Sequence, residues 1–310
     1  MRRARVTLAD VARRSGVSSA TASFVLNRVT GQTIPEATQE RVRRAAEELG
    51  YVPHGIARAL REGTSRLVLL NVGQLPRRTS LEGFIDGLDE ELTRLGHALL
   101  VRYGAPTPGG LRHVVDAAAP RAVLDIARLY ASDDPDAHDG GWIAGLAAHT
   151  LTQISYLARR GHTTIGFVLP ADQRFARLAQ LRWEQARTAA DALGLRAPVS
   201  FTVSADRAEA RDRLRDFRHA HPAVTALAAC DDDVAIRTLA ALGDLGLSAP
   251  DDLAVIGFDD AEFAALWSPT LTSVRIQAVA YGRCAARHAL GLDPGPLPRD
   301  PATVIERESA

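Results

Sequence analysis

Apolar positions along the chain keep a helical rhythm for the first fifty residues and then shift to short continuous runs near residue 66. At the start, Leu8, Val11 and Ala12 fall on one face of a helix that Thr7 is placed to cap, with Asp10 three positions on to reach back. Ser15-Gly16-Val17-Ser18 breaks that helix, and Ser18 is positioned to cap a second one running to about Leu26. A third is predicted from Pro35 through Val42, Ala45, Ala46 and Leu49 to a stop at Gly50. Beyond Arg66, Leu67-Leu70, Ala98-Val101, Ala122-Leu124, Thr164-Val168 and Leu253-Gly257 read as buried strands, with helical patterns over 81–95, 146–160, 174–193 and 232–245. Alternating strands and helices predict an α/β body with parallel sheets that bind ligands at the strand carboxyl ends.

Charge sharpens this division. The chain has no net charge, yet residues 1–62 hold eleven arginines against six acids, an excess of five that the remaining residues cancel. A basic head on an acidic body is the electrostatic footprint of a nucleic-acid-binding segment joined to a part with another task. Every basic residue among the 37 is arginine, which suits bidentate phosphate contacts. The 310 residues suffice for two or three domains, and 46% hydrophobic content is ordinary for a folded protein. Two distant cysteines, Cys230 and Cys284, support neither a disulfide framework nor a zinc site and favour a reducing cytoplasm. The opening Met-Arg-Arg-Ala-Arg turns amphipathic rather than apolar, so neither secretion nor a membrane span is expected.

Helix, tight glycine turn, helix and a supporting third helix form the helix-turn-helix plan. Val6-Thr7-Leu8-Ala9-Asp10-Val11-Ala12, Gly16 to Ser23 and Val25-Leu26-Asn27 resemble the headpiece of the lac-repressor (LacI/GalR) family, and Ile34, Arg41-Val42, Ala45-Ala46, Leu49-Gly50-Tyr51 and Pro53 continue the likeness. The resemblance implies that Ser19, Ala20 and Phe24 face the bases, that Thr21, Ser23 and Asn27 contact phosphates, and that Thr7 and Ser18 belong to the same surface. The base-facing trio lacks a bidentate reader; Ser19 can bond several bases, whereas Ala20 and Phe24 offer apolar contact, as to thymine methyls. The alternative for Phe24 is a place in the headpiece core. Tyr51 to Leu60 resembles the family's hinge helix, in which His54, Ala57 and Arg58 join the DNA-binding set and Leu60 would be the minor-groove wedge. Gly55 and His54 depart from the family pattern.

The body resembles the same family through Arg160-Gly161-His162-Thr163-Thr164-Ile165-Gly166-Phe167, Ala229-Cys230-Asp231, Ala249 to Asp260 and Pro269 to Val274. That likeness implies a two-lobed core like the periplasmic binding proteins, a cytoplasmic, nucleoid-associated homodimer, a near-palindromic double-stranded operator and a small-molecule effector, of which a sugar is one candidate. The expected boundaries are a headpiece at 1–50, a hinge at 51–62 and a core at 63–310. Asp231 matches a family position that accepts hydrogen bonds from effectors, although it could equally cap a helix. The family's cleft arginine precedes the aromatic position of Trp183 by four residues; that place holds Ala179, leaving Arg177, half a turn away, as the substitute. Residues 103–148 follow the family poorly, and their run Asp133-Asp134-Pro135-Asp136 reads as a solvated loop rather than a metal site. No nucleophile-base set or phosphate loop is recognisable, so neither an enzyme nor a cofactor is expected. The alternatives are a regulator with a degenerate or non-sugar sensor lobe and a solute-binding protein.

Overall fold

In a computed structural model, the described residues are 6–26, 33–51, 65–105, 107, 109–131, 141–297 and 302–310. They divide into two compact units, Met1–Ser65 and Arg66–Ala310. The first holds α1 (Leu8–Ser15), α2 (Ser19–Leu26) and α3 (Glu36–Leu49). Thr7 and Asp10 close a reciprocal capping box on α1, and Gly16 leaves it in the left-handed region at φ 68°. The Thr21 amide donates to Ser18 Oγ at 3.0 Å, which caps α2. Val11, Ala12, Ala22, Val25, Val42, Ala45 and Ala46 form the core where the three helices meet.

The second unit has two lobes. In the first, β1 (Leu67–Gly73) is flanked by β2 (Ala98–Tyr103) and β3 (Ala122–Asp125) in a parallel sheet of order β2-β1-β3. The helices are α4 (Thr79–Arg94), α5 (Gly110–Ala118), α6 (Ile126–Ala131) and α7 (Trp142–Ala148). The second lobe carries α8 (Thr150–Arg159), β4 (Ile165–Pro170), α9 (Ala176–Ala192), β5 (Val199–Val203), α10 (Arg207–Ala220), β6 (Ala226–Ala229), α11 (Asp232–Asp244), β7 (Ala254–Phe258) and β8 (Thr272–Ile276). The chain then returns through α12 (Ala278–Ala289) and ends on β9 (Ala302–Ile305). The sheet order is β5-β4-β6-β7-β8-β9, parallel except for the β8/β9 pair.

α12 packs against α4, so the first lobe is completed by chain that has already built the second. The approach is close because a Cβ on Gly87 would overlap the Val279 carbonyl and one on Gly282 the Phe84 carbonyl. Across this contact Arg287 Nε donates to Glu91 Oε1 at 2.6 Å. The five strands expected from apolar runs are β1, β2, β3, β4 and β7. The other four were not visible as runs: β6 is Ala-Leu-Ala-Ala, poor in β-branched side chains, and β5, β8 and β9 mix polar and apolar residues. The helical pattern over 146–160 is divided at His149 into α7 and α8.

Candidate nucleic-acid interface and effector cleft

At the start of α2, Ser18, Ser19 and Ala20 are exposed, and Thr21 and Phe24 are half-buried. Phe24 is not among the residues of the headpiece core. The first turn of α2 carries no acid, so its free amides and positive end are presented beside small hydroxyl side chains. Such a surface can accept phosphate oxygens and approach base edges closely. Ser18 and Thr21 hold one another through a 2.9 Å hydroxyl contact, and exposed Thr7 also donates through its hydroxyl to Asp10 at 2.6 Å. Ser23 departs from the expected phosphate set: it is 9% exposed and turned to the core side of α2, because it lies between Ala22 and Val25. Asn27, His54, Ala57, Arg58 and Leu60 lie outside the described residues, as does the acidic run at 133–136.

In the body, carboxyl ends of strands from both lobes converge on one pocket. The first lobe supplies Leu75, Arg78, Ser80 and Tyr130, while the second supplies Phe175, Arg182, Asp231, Phe258 and Asp259. Asp231 takes the helix-cap role that its sequence position allowed, and its second oxygen meets an arginine of the chain itself. Its Oδ1 accepts the Val234 amide at 2.9 Å and caps α11, while Oδ2 is paired with Arg78. Arg78 also lies 3.3 Å from Asp233 Oδ2 and places its guanidinium 4.4 Å from the ring centre of Phe175. Burial opposes the charge on Arg78, but Asp231, Asp259 and Asp233 outweigh it and raise its pKa. Burial pushes Asp259 up to about 6 against the pull of Arg78 and a hydrogen bond from Ser80. Asp259 and Asp260 both have positive φ, 113° and 48°, a costly backbone turn that sends adjacent carboxylates to different partners. Asp260 binds Arg307 at 2.7 Å, whereas Asp259 lines the pocket.

Arg177, expected to substitute for the cleft arginine, and Trp183, expected as the aromatic of the effector site, lie elsewhere. Neither Arg177 nor Trp183 is among the described residues lining this pocket. Arg177 is half-buried, and Trp183 packs on the core with its ring 6.1 Å from that of Phe167. Arg182 occupies the cleft instead. At roughly 3.6 residues per turn it lies on nearly the same side of α9 as Ala179, whereas Arg177 is turned away. Arg182 is only 1% exposed, and its bonds go to neutral groups: Nε donates to Thr150 Oγ1 at 3.0 Å, Nη2 to Gln153 Oε1 at 2.6 Å, and Nη1 to the Cys230 carbonyl. Gln153 Nε2 in turn donates to the Ala229 and Gly257 carbonyls at 2.9 and 2.8 Å, tying the arginine to the ends of β6 and β7. The Arg182 guanidinium also covers the Phe258 ring at 3.7 Å. The available signal was helical spacing from Ala179, applied toward the C-terminus rather than back to Arg177.

The space left between these groups is about 20 Å³. A larger cavity of about 290 Å³ adjoins it at Leu75 and lies against Asn71, Arg102, Asp125, Arg128 and Arg174. Among the described residues, no group of three or more His, Cys, Asp or Glu could hold a metal ion, and no helix is long and apolar enough to cross a membrane.

Residues 7–54 match the lacI family of bacterial regulatory proteins, and residues 154–310 match the periplasmic binding protein-like domain. The chain is 27% identical over 306 residues to the HTH-type transcriptional repressor PurR of Vibrio vulnificus (strain CMCP6), covering 86% of each protein. It is 24% identical over 316 residues to PurR of Haemophilus influenzae (strain PittEE), covering 90% of this chain and 88% of the relative. The fold is similar to the lac repressor dimer bound to operator and the anti-inducer ONPF, with a TM-score of 0.75, 19% identity and 99% of each chain covered. It is also similar to the transcriptional regulator CelR in its cellobiose complex, with a TM-score of 0.58, 23% identity, and 99% of this chain and 100% of that one covered. With a family headpiece at one end and the binding-protein body matched over more than half its length, the chain belongs to the LacI family as a DNA-binding transcriptional repressor with a periplasmic-binding-protein-like effector domain.

Proposed function

We propose that the protein binds a near-palindromic operator as a cytoplasmic homodimer and that a small molecule in the interlobe cleft adjusts operator affinity. In this reading, residues 1–50 read DNA, 51–62 couple the units and 63–310 dimerise and sense. The carrying observation is the start of α2, where small exposed side chains surround an acid-free helix end. Dimerisation has support from Phe263, Leu266 and Trp267, exposed apolar side chains close together in sequence on the second lobe, with Leu266 78% exposed. Two-fold pairing of the protein demands a two-fold operator. Effector binding can loosen or tighten the complex, since linkage allows either sign.

The test is retention of genomic fragments by purified protein at near-physiological salt, where nonspecific phosphate binding is weak. A recurrent near-palindrome lost on Ser19→Glu is the expected result. Retention without sequence preference by folded, dimeric protein would overturn the reading. A second version, in which the sensor lobe takes no sugar, is favoured by the closed pocket: about 20 Å³ is far below the several hundred that small-molecule sites occupy.

A further inference from the structure

We propose that the effector is cationic, carrying a guanidinium or ammonium head that takes the seat now filled by Arg78 between Asp231 and the Phe175 ring. This deepens the reading of the cleft as the effector site and rests on it. Arg78 already does there what a bound cation would do: it pairs with Asp231, approaches Asp233 at 3.3 Å and lies over an aromatic face. With its side chain in place, the remaining void of about 20 Å³ has room for little more than a water, so a metabolite enters by displacing it.

The seat fits its occupant imperfectly. Arg78 Nε is buried without a hydrogen-bond partner, a cost that withdrawal of the side chain relieves. Withdrawal also fixes what can replace it. Among the described residues lining the pocket, Asp231 and Asp259 are then left with Arg182 as the one arginine, and that guanidinium spends its hydrogen bonds on a hydroxyl, an amide and a carbonyl. A neutral polyol would leave the buried Asp231 carboxylate without the cation that Arg78 had supplied, and an anion would repel it; a cationic head replaces the pair. The adjoining cavity offers room for the rest of the molecule. Arg102 and Arg174 line that space, so an uncharged or anionic far end fits better than a second cation.

Isothermal titration of the full chain with methylguanidinium, L-arginine, glucose and citrate tests this. Wild type should bind L-arginine saturably. Arg78→Ala should bind both guanidinium compounds about tenfold or more tightly, as expected when a competitor filling roughly nine-tenths of the seats is removed. Asp231→Asn should weaken both. Arg78→Gln, of similar length without charge, replaces the alanine variant should that one fail to fold. Binding of glucose or citrate in place of the guanidinium compounds overturns the proposal, as does guanidinium binding confined to the Arg78 variants with wild type inert at millimolar concentrations. Operator retention by the same preparation is scored separately. Its loss counts against the regulator reading, while absent guanidinium binding with retention intact overturns the cationic effector alone.

Discussion

The two lobes of the body solve the same packing problem with unequal resources. In the second, β6 and β7 are buried along their whole length within a six-stranded sheet. In the first, three strands form the sheet among the described residues, β2 has no fully buried position, and α5 has no buried residue. The larger lobe can hold a buried guanidinium rigidly through Gln153 and two strand ends. The smaller one contributes Arg78 from the residue preceding α4 and borrows α12 to finish its core. One side of the cleft is thus a fixed frame and the other a lighter part hung on a helix pair, with fewer buried positions to hold it.

The largest effect should come from breaking that helix pair. Gly87→Ala puts a methyl group into the Val279 carbonyl, and backbone on both sides leaves nothing flexible to yield. A loss of about 3 kcal/mol or more is expected, in the range of severe core overpacking. Hydrogen exchange should show amides of β1 to β3 losing protection first while β6 and β7 retain theirs. Uniform loss would mean that the lobes unfold as one unit and that the contrast is only geometric.

In the second lobe, Gln153→Leu removes the amide that ties Arg182 to β6 and β7. It leaves the Ala229 and Gly257 carbonyls and one guanidinium edge without that partner, for an expected cost of about 2–4 kcal/mol. Chemical denaturation measures it. A loss under about 1 kcal/mol would show that this frame is not held as tightly as its bonds imply.

Much of this frame was legible beforehand, and its omissions have physical causes. The capping box of Thr7 and Asp10, the left-handed Gly16 and the stop at Gly50 are local chemistry written in consecutive residues, and the headpiece helices follow them closely. Long apolar strands such as β1, β4 and β7 announce themselves; the alanines of β6 do not, because its burial comes from neighbours on both sides rather than from its own side chains. Asp231 was legible, as the cap of α11. Arg182 was not, since its place in the cleft depends on which side of α9 meets β6 and β7. The occupation of the pocket by Arg78 joins residues far apart in sequence that no local spacing connects.

The lobes should also separate by pH, with smaller effects. Burial, reinforced by Asp259 and Asp231, pushes Asp232 up to about 8 against hydrogen bonds from Ser273 and the Ala261 amide. Its folded pKa lies above the unfolded value of 3.8, so its contribution is complete below pH 4 and lost as pH rises through 8. Asp259, raised to about 6, acts alike over a narrower range, and buried His149, lowered to about 4, acts oppositely below 6.5. Asp232 is therefore best isolated above pH 6.5, where wild type should lose on the order of 2 kcal/mol by pH 8 and Asp232→Asn should stay flat. In the first lobe, hydrogen bonds from Arg94 and then Arg287, against the cost of burial, hold Glu91 at about 2. Its contribution is present above 4.5 and disappears as pH falls toward 2, so Glu91→Gln should flatten only the acid limb of the melting curve. Equal changes on both limbs for either variant would contradict this assignment.

The smallest effect should fall on the outer side of the first-lobe sheet. Leu100 and Val123 are exposed there, while Leu99 and Val101 on alternate positions of β2 pack against the core. Leu100→Thr keeps a side chain suited to a strand and removes apolar surface that already meets water, so stability should change by no more than about 0.5 kcal/mol. Melting at several protein concentrations gives this measurement a second use. A larger loss that grows on dilution would place a second copy of the chain over this face, since a contact made only in the dimer contributes by mass action. The three-stranded lobe would then be thin only as a single protomer, and its missing layer would come from its partner.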